Sequence, residues 1–270
     1  MNIVIVGGGH MGLTYAQSFL RSHVSEASQI CILERSADRL ASLRLAFAGK
    51  CSATAAEVVP LADLIVLAVK PQDADALYTE LAPLVTAQQV VLTIMAGISM
   101  AAIQRGLQVN KVVRAMPNLP AQVGAGMTVY TSNESVTRLE TAMVQNLLAT
   151  TGKCIYVAEE AMLDAATAVS GSGPAYVFYF MQAAMTQARE LGFSESEAEL
   201  LVLQTFGGAV DLYKANDLDC GAWIRAVSSR GGTTEAAMKV YDKQTLDQNI
   251  AAGMAAAFER AKQLGDLHHD

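Results

Sequence analysis

Charged residues are few in this chain, and basic residues are fewer than acidic ones. Charged residues make up 17% of its 270 positions, and 19 lysines and arginines against 26 acidic residues give a net charge of −7. A protein that binds a phosphate backbone needs a basic surface, so this balance argues against a nucleic-acid partner. Aromatic residues are also few, at 6%, whereas alanine is abundant. That combination predicts closely packed helices whose packing could continue across a subunit interface.

Cysteine, histidine and long apolar runs are scarce as well. The four cysteines form no C-x-x-C pair and indicate small core residues of a reduced compartment. The four histidines, which include His268 and His269, show no metal-ligand spacing, so we expect no metal. The N-terminus carries no signal-like pattern, and the longest uncharged run, between Asp164 and Arg189, is broken by glycine and proline. We therefore expect a soluble, cytoplasmic protein with no membrane partner.

The hydrophobic half of the chain has two distinct patterns. Up to residue 158, short β-branched runs alternate with helical patterns, which predicts a mostly parallel, doubly wound sheet with helices on both faces. Continuous apolar runs such as LIVLAV fit strands that are buried on both sides. The predicted strands are Ile3–Val6, Ile30–Leu33, Leu64–Val69, Val90–Ile94, Lys111–Arg114, Met127–Tyr130 and Cys154–Val157.

Beyond residue 158 the strand signals stop and only helical patterns remain. The sequence therefore predicts an α/β fold with two domains, a Rossmann-type dinucleotide-binding domain over 1–158 and an all-helical domain over 159–270. The predicted helices of the second domain are Met162–Ala168, Ala175–Leu191, Ser194–Ala215, Ala222–Val227 and Thr234–Leu264.

A glycine-rich turn follows the first strand. The run GGGHMG places Gly7, Gly9 and Gly12 in a G-x-G-x-x-G pattern between a strand and a helix. Gly7 permits the tight turn, Gly9 lets the backbone approach a pyrophosphate, and Gly12 lets helix and strand pack closely. The free N–H groups of His10 and Met11 at the helix start suit an anion. This context predicts NAD or NADP binding.

The end of the second strand carries a mixed signal about which dinucleotide binds. Glu34 stands 22 residues after Gly12, where a carboxylate accepts from the ribose 2′-hydroxyl of NAD. Arg35 and Ser36 follow at once and could instead hold the 2′-phosphate of NADP. The sequence leaves both cofactors open.

Three further loops follow predicted strands, on the side of the sheet where ligands bind. They are AVKPQ at 68–72, MAGIS at 95–99 and RAMPNLPA at 114–121. Lys70 could contact a phosphate or hydroxyl, or merely cover the sheet edge, and Asn118 supplies an amide near the expected nicotinamide position. From these loops we predict cofactor contacts by Ala68, Val69, Lys70, Pro71, Ala96 and Asn118.

The five motifs GGGHMG, LAVKPQ, RAMPNLPA, SGSGPAY and SSRGGTTEAA occur here in an order and spacing that resemble pyrroline-5-carboxylate reductases. The resemblance runs nearly end to end, and the last two motifs are specific to that family. It implies reduction of L-1-pyrroline-5-carboxylate to L-proline, the last step of proline biosynthesis, by NADPH or NADH. It also implies a helical dimerisation domain and a substrate pocket completed at the dimer interface. Assembly beyond a homodimer stays open.

The chain departs from the family pattern at several positions. The family commonly has asparagine at His10, threonine at Leu119 and proline at Arg230, and often an asparagine near Ala55. Glu34 stands where the family usually has a neutral polar residue, which makes NADH plausible.

The resemblance assigns the turn SSRGGTTEAA to the substrate. Gly231, Gly232 and Thr233 can present consecutive N–H groups to its carboxylate, with a hydroxyl from Ser229. The Thr234 hydroxyl falls at the ring nitrogen, where it orients the imine or stabilises charge. An alternative is that Thr233 or Thr234 only caps the helix. SGSGPAY is interpreted as a structural wall, and no residue is expected to be an essential acid.

Two other functions compete with this hypothesis. A 3-hydroxyacid dehydrogenase of the same two-domain type would need a base on the long helix 175–188, which has no Lys, Asp or His. A non-catalytic NAD(P) sensor could keep the glycine turn but would have little reason to keep Ser229 and Thr234 together.

Overall fold

The computed structural model describes residues 1–266, so His268 and His269 lie outside the described residues. Its strands form one sheet of eight in the order β3-β2-β1-β4-β5-β6-β7-β8. All neighbours are parallel except β6 and β7, which are antiparallel. The strands are β1 Ile3–Val6, β2 Ile30–Leu33, β3 Lys50–Ser52, β4 Leu64–Leu67, β5 Val90–Thr93, β6 Lys111–Met116, β7 Gly126–Ser132 and β8 Gly152–Tyr156.

Helices connect most of the strands, and those after β8 run to the end of the described residues. The helices are α1 His10–Arg21, α2 Ala37–Ala46, α3 Ala55–Val58, α4 Ala74–Leu81, α5 Met100–Leu107, α6 Arg138–Ala149, α7 Met162–Ala166, α8 Gly173–Glu190, α9 Glu195–Lys214, α10 Cys220–Val227, α11 Thr233–Lys243 and α12 Leu246–Asp266. A π-helical turn, Thr167–Gly171, follows α7. None of the helices within residues 1–266 is long and apolar enough to cross a membrane.

Both faces of the central strands are buried, which explains why they appear as unbroken apolar runs. In β1, Ile3 and Ile5 belong to the hydrophobic core on one face of the sheet. The alternate residues Val4 and Val6 belong to the core on the other face. Since neither face meets water, no polar alternation is needed. The predicted mostly parallel, doubly wound sheet is confirmed.

Two element predictions were wrong. The strand β3 was missed, because its three residues KCS are half exposed and carry almost no strand signal. The helix predicted over Thr234–Leu264 is interrupted between α11 and α12, where Thr245 takes a left-handed conformation with φ of 50°. A β-branched residue rarely adopts that conformation, and no glycine or proline marks the break.

The chain divides into two compact units. Residues 1–172 and 257–266 form the first unit, and residues 173–256 form the second. The helix α7 belongs to the first unit, where Leu163 and Ala166 pack against Val129 of β7. The compact units therefore divide the chain later than residue 158. The domain boundary near residue 158, which was drawn where the strand signals stop, stays a prediction.

The second unit is helical, and very few of its side chains are buried. Its helices α8 and α9 pack together, with the rings of Phe180 and Phe206 5.7 Å apart. Of the described residues 173–256, only Ala198 and Val202 are buried. Large apolar side chains stay in contact with water, including Tyr179 at 77% and Leu200 at 67% exposure. Exposed apolar surface on this scale marks an interaction face.

Candidate active site

The glycine turn after β1 has the geometry that its sequence predicts. Gly7 has a φ of 101°, and a Cβ atom there would lie 2.8 Å from the Ala68 carbonyl oxygen. A Cβ atom on Gly12 would collide with the Gly7 carbonyl oxygen. A Cβ atom on Gly9 would meet nothing within 4 Å. Gly7 and Gly12 therefore serve the fold, whereas Gly9 leaves open space over the turn.

The open space over Gly9 adjoins the N-terminus of α1. Gly9 is the N-cap of this helix and has no side chain to accept from the first turn, which carries no acidic residue. His10 and Met11 are the first two helical residues, and N–H groups at such positions have no intrahelical acceptor. This is a positive helix end with room for an anion. The residues present fit the pyrophosphate of a dinucleotide.

A cleft of about 270 Å³ extends from this turn along the carboxyl ends of β1, β2 and β4. Seven residues predicted to bind cofactor line it: Gly7, Gly9, Glu34, Arg35, Ala68, Val69 and Lys70. The other predicted residues lie outside its lining: His10, Met11, Gly12, Ser36, Pro71, Ala96 and Asn118. Three further charged residues line the cleft and were not predicted from the sequence: Arg39, Asp73 and Glu80. Arg39 lies on the first turn of α2, soon after Glu34. This position in the sequence was the available signal that Arg39 lines the cleft.

The two remaining loops predicted to contact the cofactor are fixed by buried or part-buried polar contacts. In the loop after β5, the Thr93 hydroxyl accepts from the Met95 N–H at 3.1 Å, and Ala96 is half-buried. The Asn118 amide accepts from the Met127 N–H at 2.8 Å and donates to the Ser170 carbonyl at 3.1 Å. Asn118 thus ties its loop to the SGSGPAY segment. Its contact with nicotinamide stays a prediction.

The buried Arg114 anchors the start of the same loop. Its guanidinium donates to Glu160 at 3.0 Å and to Asp164 at 3.2 Å, and its side chain is 8% exposed. A buried charge needs such partners to be tolerated. Nearby, a Cβ atom on Gly171 would lie 2.8 Å from the Met116 methyl group, at the π-helical turn. Such turns are frequent at functional sites, and this one was not predicted from the sequence.

The turn SSRGGTTEAA lies in the second unit, between α10 and α11. Its predicted run of three available N–H groups is only partly correct. The Gly231 N–H donates to the Glu235 carboxylate at 2.7 Å, and the Gly232 N–H donates to the Ser229 carbonyl at 2.9 Å. Gly231 has a φ of 74°, which favours glycine there. Of the predicted run the Thr233 N–H remains, and together with the Thr234 N–H it lies in the first turn of α11, where N–H groups have no intrahelical acceptor.

The threonines of this turn do not cap the helix. The N-cap of α11 is Gly232, which has no side chain. The alternative that Thr233 or Thr234 is merely a cap is therefore wrong. Beside them, the Gly231 N–H and then Lys239, 3.3 Å away, hold the pKa of the Glu235 carboxyl below its usual range. The hydroxyl of Thr234 is thus free of a capping role.

The comparisons with known proteins decide the family. A family model described as pyrroline-5-carboxylate reductase dimerisation matches residues 160–264, and one described as NADP oxidoreductase, coenzyme F420-dependent, matches residues 2–97. A pyrroline-5-carboxylate reductase of Pseudomonas aeruginosa is 35% identical over 98% of this chain and 97% of its own length. The chain belongs to the pyrroline-5-carboxylate reductase family. The resemblance drawn from the five motifs is confirmed.

Solved structures of pyrroline-5-carboxylate reductases agree over the whole chain. The enzyme of Plasmodium falciparum, solved with NADP bound, matches with a TM-score of 0.89 at 26% identity and covers 98% of both chains. The enzyme of Coxiella burnetii matches with a TM-score of 0.86 at 31% identity, covering 97% of this chain and 98% of that one. The sheet followed by helices is therefore the fold of pyrroline-5-carboxylate reductases.

Most departures from the pyrroline-5-carboxylate reductase pattern are exposed. His10 is exposed at the start of α1, Leu119 is 52% exposed, and Arg230 is exposed in the turn before α11. Ala55 differs, since it is buried in the hydrophobic core on one face of the sheet. Nothing in the structure explains Arg230. The departure with the clearest contacts is Glu34.

Proposed function

We propose that this protein reduces L-1-pyrroline-5-carboxylate to L-proline with hydride from NADPH or NADH, the last step of proline biosynthesis. The observation that carries the proposal is the end-to-end family match, which includes both the glycine turn and the turn before α11. We assign residues 1–158 to the dinucleotide and residues 159–270 to substrate and dimerisation. The family model over 160–264 supports the second assignment.

The cofactor is proposed to bind along the carboxyl ends of the strands. Its pyrophosphate would be held by the N–H groups at the start of α1, above Gly9. Lys70, exposed at the rim of the cleft, would contact a phosphate or hydroxyl. The reduced nicotinamide supplies the hydride. The loops that contain Ala96 and Asn118 are proposed to set the position of its ring.

The substrate offers a carboxylate and a cyclic imine, and the turn before α11 offers groups for each. The N–H groups of Thr233 and Thr234 and the Ser229 hydroxyl would bind the carboxylate. Gly231 and Gly232 would shape the turn, because their N–H groups already have acceptors. The Thr234 hydroxyl would face the ring nitrogen and hold the imine in one orientation. Most of the rate enhancement would then come from positioning.

The direct test is turnover. Purified full-length protein with racemic pyrroline-5-carboxylate should consume reduced nicotinamide and produce L-proline, with NADPH and NADH assayed side by side. A matched assay with a 3-hydroxy acid and the oxidised cofactor should show no reaction, since α8 contains no Lys, Asp or His. Cofactor binding without turnover of the imine would contradict the proposal and favour a sensor.

We further propose a cytoplasmic homodimer formed through the C-terminal helices. The support is the dimerisation model and the exposed apolar surface of residues 173–256. Burying such surface contributes about 25 cal/mol per Å². We therefore expect the protein to elute with at least twice its chain mass of 28.6 kDa at micromolar concentration. Light scattering measures the mass directly, and a monomer there would contradict the dimer. The same measurement shows whether dimers assemble further.

A further inference from the structure

Glu34 occupies the position that decides between the two nicotinamide cofactors. It follows β2, and its side chain is only 11% exposed. One carboxylate oxygen accepts from the Gly8 N–H at 3.1 Å, and the other accepts from the Ser36 N–H at 2.9 Å. These contacts fix a negative charge at the edge of the cleft, beside the glycine turn.

Several of the groups that could hold a 2′-phosphate already make hydrogen bonds within the chain. Phosphates bind at helix N-termini and between arginines. At the start of α2, however, Ser36 gives its N–H to Glu34 and its hydroxyl accepts from the Arg39 N–H at 3.4 Å. The Nε atom of Arg39 donates to the Gly8 carbonyl at 2.9 Å and lies 3.9 Å from Glu34. The Glu34 carboxylate is therefore the anion that Ser36 and Arg39 already face within the chain.

The second arginine of this region is paired as well. Arg35 is 74% exposed, and its guanidinium binds the Asp73 carboxylate at 2.7 Å. The charged residues that line the cleft cancel in sign: Arg35, Arg39 and Lys70 against Glu34, Asp73 and Glu80. A site for a phosphate dianion would be expected to carry net positive charge. This cleft carries no net positive charge.

We propose that Glu34 makes this protein prefer NADH over NADPH. The carboxylate accepts a hydrogen bond from the 2′-hydroxyl of NADH, as acidic residues at this position of dinucleotide folds do. The 2′-phosphate of NADPH meets the same carboxylate as a like charge in a half-buried corner, which disfavours binding. The inference deepens the proposed function, on which it rests for the class of cofactor.

The test is direct binding, measured apart from turnover. Titrations of the full-length protein with NADH and NADPH, followed by nicotinamide fluorescence, should give a Kd for NADH at least about tenfold lower. Competition by ADP-ribose and by 2′-phospho-ADP-ribose should show the same order. Glu34→Gln, which removes the charge and keeps the size, should bring the two Kd values within about threefold of each other. Glu134→Gln, the same charge change at an exposed position after β7 that lies outside the lining of the cleft, should keep the wild-type ratio.

Each outcome decides the inference. Tighter binding of NADPH by the wild type overturns it, and so does a wild-type ratio retained in Glu34→Gln. Glu34→Ser provides a second variant if Glu34→Gln is unstable in thermal melting. Failure of all four nucleotides to bind would also overturn it. A preference for NADH that depends on Glu34, without turnover of pyrroline-5-carboxylate, would uphold the inference and contradict the proposed function alone.

Discussion

Replacing Thr234 with alanine is expected to lower kcat for pyrroline-5-carboxylate about a hundredfold, with a smaller effect on KM. Removing one hydrogen-bond donor that acts in the transition state typically has an effect of that order. The Thr234 N–H, which we assign to the substrate carboxylate, is retained in the variant, so binding should survive. Steady-state kinetics at saturating cofactor measures both constants.

The shape of the pH profile separates orientation from proton donation. Because Thr234 is assigned no proton of its own to deliver, Thr234→Ala should keep the wild-type dependence of kcat on pH. Thr234→Ser retains the hydroxyl and should recover most of the rate. Thr233→Ala is the matched control, since we assign only the N–H of Thr233 to the substrate, and it should keep most of the activity. Complete loss of activity in Thr234→Ala at every pH would contradict the assignment and indicate an essential acid.

The parts of the fold that sequence predicted well are those where burial dictates the pattern. The runs IVIV, ICIL and LIVL are buried on both faces, so almost every position must be apolar and the strands stand out. The glycine turn was equally predictable, because Gly7 needs a positive φ and Gly12 has no room for a Cβ atom. In both cases a local physical constraint, either burial or steric room, restricts which residue types can stand at a position.

The parts that sequence could not predict depend on side-chain geometry. The letters of the turn before α11 do not show that Glu235 reaches back to the Gly231 N–H and so removes it from the predicted anion site. Nor do they show that the Asn118 amide is divided between Met127 and Ser170, residues far apart along the chain. The break at Thr245 is similar, because its left-handed conformation falls on a residue type that normally avoids it.

The predicted cofactor residues show the same difference between features set by residue type and features set by side-chain geometry. The sequence predicted Gly7, Gly9 and the small residues of the AVKPQ loop, and these line the cleft because the ends of parallel strands meet at one edge. It missed Arg39, whose importance depends on its contact with the Gly8 carbonyl. It also left the signal at Glu34 and Arg35 undecided. The structure adds that Arg35 pairs with Asp73, whereas Glu34 is fixed inside the corner.

The second and third glycines of the fingerprint, Gly9 and Gly12, should respond to alanine in opposite ways. Gly9→Ala places a methyl group in open space, so the fold should tolerate it with a melting temperature lowered by at most about 2 °C. The same methyl group blocks the approach of the pyrophosphate, so the Kd for NADH should rise at least about tenfold. Gly12→Ala forces a methyl group against the Gly7 carbonyl oxygen. Overpacking of this kind costs about 1–3 kcal/mol, which should lower the melting temperature by roughly 2–12 °C.

Thermal melting and NADH titration of the two variants therefore form a matched pair, with one methyl group added in each. Loss of binding without loss of stability in Gly9→Ala would place the pyrophosphate over Gly9. If Gly9→Ala bound NADH as tightly as the wild type, the pyrophosphate could not approach at that residue, and the N-terminus of α1 would lose its assigned role. If Gly12→Ala melted like the wild type, the close packing of α1 on β1 would not depend on the missing Cβ atom. The two glycines belong to one motif but differ in their surroundings. On this assignment Gly9 is needed for the approach of the cofactor, whereas Gly12 is needed for the packing of the fold.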